Sequence, residues 1–349
     1  MTKTDAVLNA AGRGRPPTAI SILIPCYNEE PNLEHLFERL CKVLDWIGVP
    51  YEIVCVNDGS RDRTLDALIE HHRCNPAIKV VNLSRNFGKE IALSAAIDYA
   101  TGEVVVPIDA DLQDPPELIA ELIQRWQDGY DVVYATRRSR SGETWFKKFT
   151  AGSFYRLIGR MSSVPIPPNT GDFRLLDQRA VAALKQLPER NRFMKGLFAW
   201  VGFRQTSVLY DRAERYRGST KWNYWRLWNL AVDGITAFSV APLKIWLYIG
   251  TVISTIALLY ASVLVIRTLI LGIDVPGYAS LMVAVLFLGG IQLLTLGIIG
   301  EYLGRIYEEV KARPLYLVRD AYGFEAQSSN HSGHHSGHRA DYLSGHPCD

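Results

Sequence analysis

The feature that most constrains this chain is a pair of long uncharged segments in its last third. Ile245–Ile266 has 22 consecutive residues without a charge, and Val275–Gly300 has 26. As helices, at about 1.5 Å per residue, they would reach roughly 33 and 39 Å, enough to cross a hydrocarbon core of about 30 Å. Two buried helices of a soluble protein are the alternative, but such helices rarely run so far without a charge. We predict two transmembrane helices, at about 245–266 and 278–300, in a membrane region spanning 244–304.

The basic residues around these segments predict their orientation. Arg267 alone lies between the segments, whereas seven basic residues flank their outer ends: Lys221, Arg226, Lys244, Arg305, Lys311, Arg313 and Arg319. Lys and Arg concentrate on the cytoplasmic side of membrane proteins. This predicts a multi-pass protein of the cell inner (plasma) membrane, with both termini and the large amino-terminal region in the cytoplasm.

The regions outside the two uncharged segments include a tryptophan-rich stretch and two polar tails. Tryptophans at a spacing of three favour amphipathic juxtamembrane helices over 222–243, lying among the lipid headgroups. A place in a hydrophobic core is the alternative for these side chains: Trp222, Trp225 and Trp228. We predict a flexible polar tail over 1–18, a cytoplasmic segment over 305–326 and a disordered His/Ser/Gly-rich tail over 327–349.

The region from residue 19 onward alternates short apolar runs with amphipathic stretches. The runs are Ala19–Pro25, Tyr51–Val56, Ile78–Leu83, Glu103–Ile108 and Asp131–Ala135. The stretches between them are Pro31–Trp46, Arg61–His72, Lys89–Ala100 and Pro116–Gln127. This alternation predicts an α/β fold with a Rossmann-like, mostly parallel sheet. No G-x-G-x-x-G follows the first strand, so the dinucleotide fingerprint is absent. A net charge of only +2 argues against nucleic acid as a partner.

Acidic residues follow the predicted strands where ligands bind in an open parallel sheet, beyond the carboxyl ends. Asp109 and Asp111 come directly after the fourth strand, and two such carboxylates can hold a hard divalent cation together with a substrate diphosphate. Asp58 follows the second strand, where it either caps the next helix or accepts a hydrogen bond from a ribose or base. Lys89 opens a helix and could bind a phosphate there, the alternative being an exposed surface lysine.

The motifs at these strand ends resemble those of family 2 glycosyltransferases of the GT-A fold. They are Pro25–Glu29, Val56–Ser60, Ser84–Lys89, Asp109–Glu117, Asn169–Leu176 and Glu189–Gly196. Arg215–Trp222 is similar to the R-x-x-G-x-S-K signature of polyprenyl-phosphate glycosyltransferases, with Thr220 in place of the usual Ser. The resemblance covers about residues 19–320, with the GT-A domain over 19–221. Bactoprenol glucosyltransferases are the most similar group, and dolichyl-phosphate mannose synthases are more distant.

The resemblance implies roles for individual residues. It implies nucleotide or substrate binding by Pro25, Tyr27, Glu29, Asp58, Lys89, Asp109, Gln113, Arg137 and Lys221. It further implies metal binding by Asp109 and Asp111, and catalytic roles for Asp111, Asp172 and Arg215. A lipid phosphate is mostly dianionic at neutral pH, since its second pKa is near about 6. Such a phosphate needs little help in losing a proton, so Asp172 could orient a sugar hydroxyl or hold Arg174 instead of acting as the base that related transferases place there. Anionic lipid heads are the alternative ligands of Arg215 and Lys221.

The implied activity is a metal-dependent, inverting hexosyl transfer, with Mg²⁺ or Mn²⁺ as cofactor. Glucose would move from UDP-glucose to undecaprenyl or a similar polyprenyl phosphate at the bilayer, giving a lipid-linked sugar for cell-envelope glycans. The same reaction with GDP-mannose or a UDP-amino sugar stays open. A processive polysaccharide synthase would need Q-x-x-R-W, and Gln124–Trp126 has the wrong spacing. A silent sugar-lipid scaffold would not need the intact acidic and basic set. Small-residue faces around Gly289 and Gly297 permit a homo-oligomer.

Overall fold

The computed structural model describes residues 13–138, 170–190, 192–211, 241–271 and 277–324. Its strands are β1 (Ile20–Cys26), β2 (Tyr51–Asn57), β3 (Ile78–Leu83), β4 (Val104–Pro107), β5 (Val132–Arg137), β6 (Thr170–Asp177), β7 (Gln205–Tyr210) and β8 (Val318–Tyr322). Its helices are α1 (Glu30–Ile47), α2 (Thr64–Cys74), α3 (Lys89–Tyr99), α4 (Ile119–Gln127), α5 (Gln178–Lys185), α6 (Met194–Trp200), α7 (Ala241–Leu271) and α8 (Tyr278–Val310). The five strands and four helices predicted over 19–135 are confirmed, with α2 beginning three residues later than its pattern indicated.

The strands form one eight-stranded sheet in the order β7-β5-β6-β4-β1-β2-β3-β8. β1 pairs in parallel with β2 and with β4, and β2 pairs in parallel with β3. Antiparallel pairing joins β6 to β4 and β5, and β8 to β3. The α/β prediction with a mostly parallel sheet is therefore confirmed for the centre of the sheet, and the antiparallel strands lie outside it.

Helices cover both faces of this sheet. One apolar cluster joins one face to side chains of α1, α2 and α4, and a second joins the other face to α3, α5 and α6. Because both faces are covered, the sequence of β1 is an almost continuous apolar run, and its isoleucines are fully buried. The three layers fix the carboxyl ends of β1 to β4 along a single edge.

The predicted amino-terminal tail makes contacts within its last six residues. The Arg13 guanidinium donates to Asp131 and Asp177 at 2.8 Å and stacks 4.5 Å from the Trp126 ring centroid. Arg15 forms a two-pronged ion pair with Glu103. Residues 13–18 of the predicted tail therefore contact the α/β domain through Arg13 and Arg15.

The first uncharged segment lies in α7, of 31 residues, and residues 278–300 of the second lie in α8, of 33 residues. In the described part of the chain, one helical stretch, Phe287–Val310, is long and apolar enough to cross a membrane by length and composition. The predicted juxtamembrane helices lie outside the described residues, apart from the first turn of α7. So do residues 325–349 and most of the amino-terminal tail.

The segment after α8 contains a strand that the sequence pattern did not indicate. β8 adds to the free edge of β3, pairing Ala321 with Val81. The Ser84 N–H donates to the Leu317 carbonyl at 2.9 Å, and the Tyr316 hydroxyl donates to Asp98 at 2.9 Å. The 305–326 segment is thus partly built into the eight-stranded sheet.

Candidate active site

The candidate site lies where the strand order reverses. The chain runs outward from β1 through β2 to β3 and then returns to place β4 on the opposite side of β1. Such a reversal opens a crevice at the carboxyl ends of the two strands, and ligands of open α/β sheets bind there. The predicted site residues Pro25 and Asp109 lie at the ends of these two strands.

The loops after β1 and β2 are hydrogen-bonded to each other. The Asn28 N–H donates to Ser60 Oγ at 3.0 Å, and the Asn28 side chain accepts the Arg61 N–H at 2.8 Å. Asn28 adopts a φ of 55°, a left-handed conformation that Asn tolerates better than most residues. These bonds hold the predicted nucleoside contacts, Tyr27 and Glu29, beside the loop of Asp58. The Glu29 carboxylate also accepts the Asn32 amide at 2.7 Å.

Asp58 ties the β2 loop to the β3 loop. Its carboxylate is 2% exposed and accepts the N–H groups of Phe87 at 2.6 Å and Gly88 at 2.9 Å. Burial raises the pKa of Asp58, although these N–H groups stabilise its charged form. The capping alternative is wrong, since Asp62 accepts the Thr64 N–H at the start of α2.

Glycine is required beside Asp58 because the two loops approach closely. Gly59 has a φ of 63°, and a Cβ there would lie 2.5 Å from the Arg85 backbone carbon. A side chain would therefore separate the loops, so the sequence Asp58–Gly59 is fixed by the contact as well as by the turn.

Lys89 lies between two carboxylates at the crevice. Its Nζ is 2.7 Å from Asp109 Oδ1 and 2.7 Å from Asp172 Oδ2. The side chain is exposed, while Asp172 is buried. The two carboxylates raise the pKa of Lys89 in spite of its desolvation. The structure thus brings together three predicted site residues, from α3, from the loop after β4 and from β6.

Asp172 lies among positive charges. Burial alone would raise its pKa, but Lys89, Lys195 and Arg174 hold the pKa of Asp172 below its usual range. Arg174 does not donate to this carboxylate: it donates to the backbone carbonyls of Asp172 at 3.3 Å and Gly171 at 2.7 Å. Arg174 is buried, and desolvation lowers its pKa to about 10.

Two neighbours of Asp172 were missed by the sequence reasoning. Glu90 follows Lys89 on α3, and Lys195 lies on α6; both interact electrostatically with Asp172. Each lies in or next to a quoted motif, but no residue spacing indicated that α6 would lie against α3. That contact depends on tertiary packing.

The remaining predicted residues that the structure describes make separate contacts near the same crevice. Asp111 is buried and accepts the Gln113 N–H at 3.2 Å. Arg137 Nε donates to the Tyr210 hydroxyl at 3.3 Å, and that hydroxyl donates to Asp114. Asp114 and Tyr210 were also missed. Arg215 and Lys221 lie outside the described residues.

A divalent cation fits the donor chemistry of Asp109 and Asp111 only if the substrate adds ligands. Both side chains offer hard oxygen donors at the end of β4. No group of three or more His, Cys, Asp or Glu side chains suited to a metal occurs among the described residues. Two carboxylates beside an open crevice are consistent with a cation shared with a diphosphate, and Lys89 would then exchange Asp109 for other partners.

Comparisons with known proteins identify the family of this chain. Residues 21–184 match the model of glycosyl transferase family 2, and residues 241–306 match the GtrB C-terminal hairpin. An uncharacterised glycosyltransferase of Synechocystis sp. is 68% identical over 306 residues, covering 88% of this chain and 96% of that protein. The SfII prophage-derived bactoprenol glucosyl transferase of Shigella flexneri is 46% identical over 303 residues, covering 87% and 98%. The chain belongs to glycosyl transferase family 2 and carries the GtrB-type hairpin at its carboxyl end.

Solved structures resemble this chain at low sequence identity. The mannosyltransferase of Pyrobaculum calidifontis, solved with GDP-Man and Mn²⁺, is 19% identical, covering 87% of this chain and 88% of that chain with a TM-score of 0.44. The family membership shown by the relatives makes the protein a glycosyltransferase, and its α/β domain is the one described above.

Proposed function

We propose that this glycosyltransferase moves glucose from UDP-glucose to a polyprenyl phosphate such as undecaprenyl phosphate, with inversion at the anomeric carbon. The observation that carries the proposal is the meeting of Lys89, Asp109 and Asp172 at the crevice between β1 and β4. The names of the relatives, bactoprenol glucosyl transferases, support the sugar and the lipid carrier.

Donor binding is assigned to the β1, β2 and β4 loops. Tyr27, Glu29 and Asp58 would face the nucleoside, the last through the loop it holds. Asp109 and Asp111 would hold a Mg²⁺ or Mn²⁺ ion, which neutralises charge on the departing diphosphate. Gln113 and Arg137 lie along the same crevice and are suited to polar groups of the donor.

Asp172 is suited to orient the sugar. Its Oδ1 is buried without a hydrogen-bond partner among the described residues, while Oδ2 contacts Lys89. A carboxylate whose pKa is held low is a weak base, and a dianionic phosphate needs little help to attack. Accepting a hydrogen bond from a sugar hydroxyl is therefore the better role for Asp172.

The reaction is an in-line displacement. A phosphate oxygen of the lipid forms a bond to the anomeric carbon while the bond from that carbon to the diphosphate breaks, releasing UDP. The protein's part is to align the two phosphates and stabilise their charge. Arg215 and Lys221, in the chain leading to α7, are assigned to the acceptor phosphate at headgroup level.

The proposed location of the enzyme follows from the hairpin formed by α7 and α8. The protein would lie on the cytoplasmic face, where sugar nucleotides are available, with α7 and α8 in the bilayer. Exposed apolar side chains along both helices, including Leu259, Val263 and Leu293, support a lipid environment.

A donor screen tests the proposal. Purified full-length protein in lipid nanodiscs with polyprenyl phosphate and Mg²⁺ or Mn²⁺ is given radiolabelled UDP-glucose, UDP-N-acetylglucosamine or GDP-mannose. We expect a glucosyl lipid from UDP-glucose at a rate at least about tenfold above the others. Transfer from GDP-mannose alone would reassign the donor, and absence of a lipid product from every donor would refute the function.

A further inference from the structure

Arg137, at the end of β5, lies against the strand that carries Asp172. A Cβ built on Gly171 would lie 3.4 Å from Arg137 Nη2, so the guanidinium is in contact distance of the backbone that precedes Asp172. The pairing of β5 with β6 shifts register at Ala135, where three residues of β6 lie opposite one of β5. Irregular pairing of this kind often lies beside functional sites, where it redirects a side chain. Arg137 and Asp172 are therefore neighbours at the crevice.

Two further side chains hold Arg137 in this place. Tyr210 is its register partner on the parallel strand β7, and the Tyr210 hydroxyl accepts the Nε–H of Arg137 at 3.3 Å. The same hydroxyl donates to Asp114, in the loop after β4. A tyrosine hydroxyl has one hydrogen to donate and lone pairs that accept, so it makes both bonds at once. We call these three side chains, Asp114, Tyr210 and Arg137, the arginine relay.

The inner part of the arginine relay is fixed by packing. Asp114 is 3% exposed and Tyr210 is 5% exposed. The Tyr210 ring packs edge-on against Phe173, with the ring centroids 6.3 Å apart. A side chain whose position is set by packing can hold a functional group within a fraction of an ångström. The Tyr210 hydroxyl is therefore a rigid support for Nε of Arg137.

The outer part of the relay offers hydrogen-bond donors to an anion. The bond to Tyr210 uses Nε, and Arg137 makes no other hydrogen bond to the residues that the structure describes. Its side chain is half-buried, so the crevice can reach it. The two Nη groups of a guanidinium form a planar fork that can bind two oxygens of one phosphate. An arginine already held at Nε loses less conformational freedom when it binds such a group.

We propose that Tyr210 and Asp114 are positioning residues that hold Arg137 so that its two Nη groups bind a phosphate group in the crevice. Neither Tyr210 nor Asp114 needs to touch the substrate. The phosphate belongs to the donor diphosphate or to the lipid acceptor, and the experiment distinguishes these sources. The proposal rests on the proposed function for the presence of these phosphates, but binding can be measured without transfer of a sugar.

The first measurement is calorimetric titration of the full-length protein in detergent with UDP and with GDP, each with Mg²⁺ and without lipid phosphate. The nucleotide that binds more tightly to the wild type is used for the variants, so a different donor base does not hide the effect. Arg137→Ala should weaken binding roughly tenfold to a hundredfold, the effect of losing one charge-assisted contact. Tyr210→Phe should weaken it at least about threefold.

The double variant separates positioning from packing. If Tyr210 acts through Arg137, Tyr210→Phe should have no further effect in a protein that already carries Arg137→Ala. Tyr130→Phe is the matched control: it removes the hydroxyl of another half-buried tyrosine, just before the opposite end of β5, and should bind like the wild type. Equal losses from Tyr210→Phe in both backgrounds would mean a purely structural tyrosine and would overturn the proposal.

Variants of Asp114 test the inner end of the relay and do not depend on how well Tyr210→Phe folds. Asp114→Asn keeps an oxygen that can accept the Tyr210 hydroxyl, so it should keep at least about half of the wild-type affinity. Asp114→Ala removes this acceptor and should weaken binding as much as Tyr210→Phe does. An Asp114→Asn protein as weak as Asp114→Ala would contradict the positioning role of Asp114.

The second measurement repeats the titrations with farnesyl phosphate, a short lipid phosphate, in place of the nucleotide. Losses that couple Tyr210 to Arg137 with the nucleotide identify the donor diphosphate, and coupled losses with farnesyl phosphate identify the acceptor. Additive losses, or no loss, with both ligands would refute the relay. Neither titration needs turnover, so a failure of the donor screen would refute the glucosyl transfer and leave this result to stand by itself.

Discussion

At the crevice, oppositely charged neighbours stabilise the ionised forms of individual side chains. Lys89 would be an ordinary surface lysine if it stood alone, yet its ammonium group lies 2.7 Å from carboxylates of two different strands. Asp172 is buried and stays ionised because cations surround it. In both cases a neighbour distant in the sequence stabilises the charged form of the side chain.

Asp111 offers the sharpest test of the metal. Asp111→Asn keeps the size of the side chain and removes one ligand charge. We expect the transfer rate to fall by at least roughly 10²-fold, the loss typical of one preorganised electrostatic group.

The matched control for this variant is Asp128→Asn, at a half-exposed position after α4, which should keep the wild-type rate. Chelator should abolish activity of the wild-type protein, and added Mn²⁺ should restore it. Full activity of Asp111→Asn, or of the chelated enzyme, would disprove the metal assignment.

Glu90 also predicts how stability depends on pH. Its pKa is about 7 in the folded protein against an ordinary value of 4.5, so between these values the folded state holds more protons than the unfolded state. Stability must then fall as pH rises through this window, by on the order of 1–3 kcal/mol from this group.

Thermal unfolding of the full-length protein at pH 5 and pH 7.5 measures this effect. The unfolding temperature of the wild type should fall relative to that of Glu90→Gln as pH rises. Parallel curves for the two proteins would mean that Glu90 ionises normally in the fold.

Among the strands and helices, β8 has the most unexpected role. It follows the hairpin yet completes the sheet at β3, and a ladder of side chains continues from it into the site. The Asn82 amide donates to Asp320 at 3.0 Å, and the Asn57 amide donates to Asn82 at 2.8 Å. Asn57 precedes Asp58, so β8 supports the loop assigned to the nucleoside.

Asp320→Ala tests this support. It leaves the buried Asn82 amide without its acceptor, which should cost about 1 kcal/mol and lower the unfolding temperature by a few degrees. Arg319→Ala, on the same strand with its side chain 73% exposed, is the control and should have little effect. An equal effect of both substitutions would mean that the strand matters only as an edge.

For the molecule as a whole, β8 constrains the proposed membrane topology, in which α7 and α8 enter the bilayer. β8 and the catalytic domain share one sheet, so residues 318–322 lie on the same side as the active site. The chain between them must therefore cross an even number of times. A hairpin in which both α7 and α8 cross satisfies this requirement, and a single crossing does not.

Reporter fusions test this arrangement in cells. A reporter after residue 324 should be cytoplasmic, and one inserted near Pro276 should lie outside, with an insertion in the Gln127–Tyr130 turn as the cytoplasmic control. A reporter near Pro276 that is cytoplasmic would contradict two crossings. The basic residues on the outer flanks of the hairpin supply the physical reason for the expected orientation.

Local pattern was enough to predict the layers of the fold and the edge that carries the site. Apolar runs such as Ile20–Cys26 become central strands because helices cover both faces, and parallel strands place their following loops on one edge. Asp58, Lys89, Asp109 and Asp111 could therefore be assigned to one crevice before any contact was known. The long helices at the carboxyl end were also predictable from local pattern, since each contains more than twenty consecutive residues without a charge.

Long-range packing was needed for the partners of these residues. No spacing in the chain indicates that Met194 donates to Glu90, that Lys89 joins Asp109 to Asp172, or that Asp320 reaches Asn82 from beyond the hairpin. Each of these contacts joins segments between 20 and 238 residues apart. The hydrophobic pattern of the sequence predicts which face of a helix or strand is buried. The protonation of a carboxyl group depends instead on which charged groups the fold places near it.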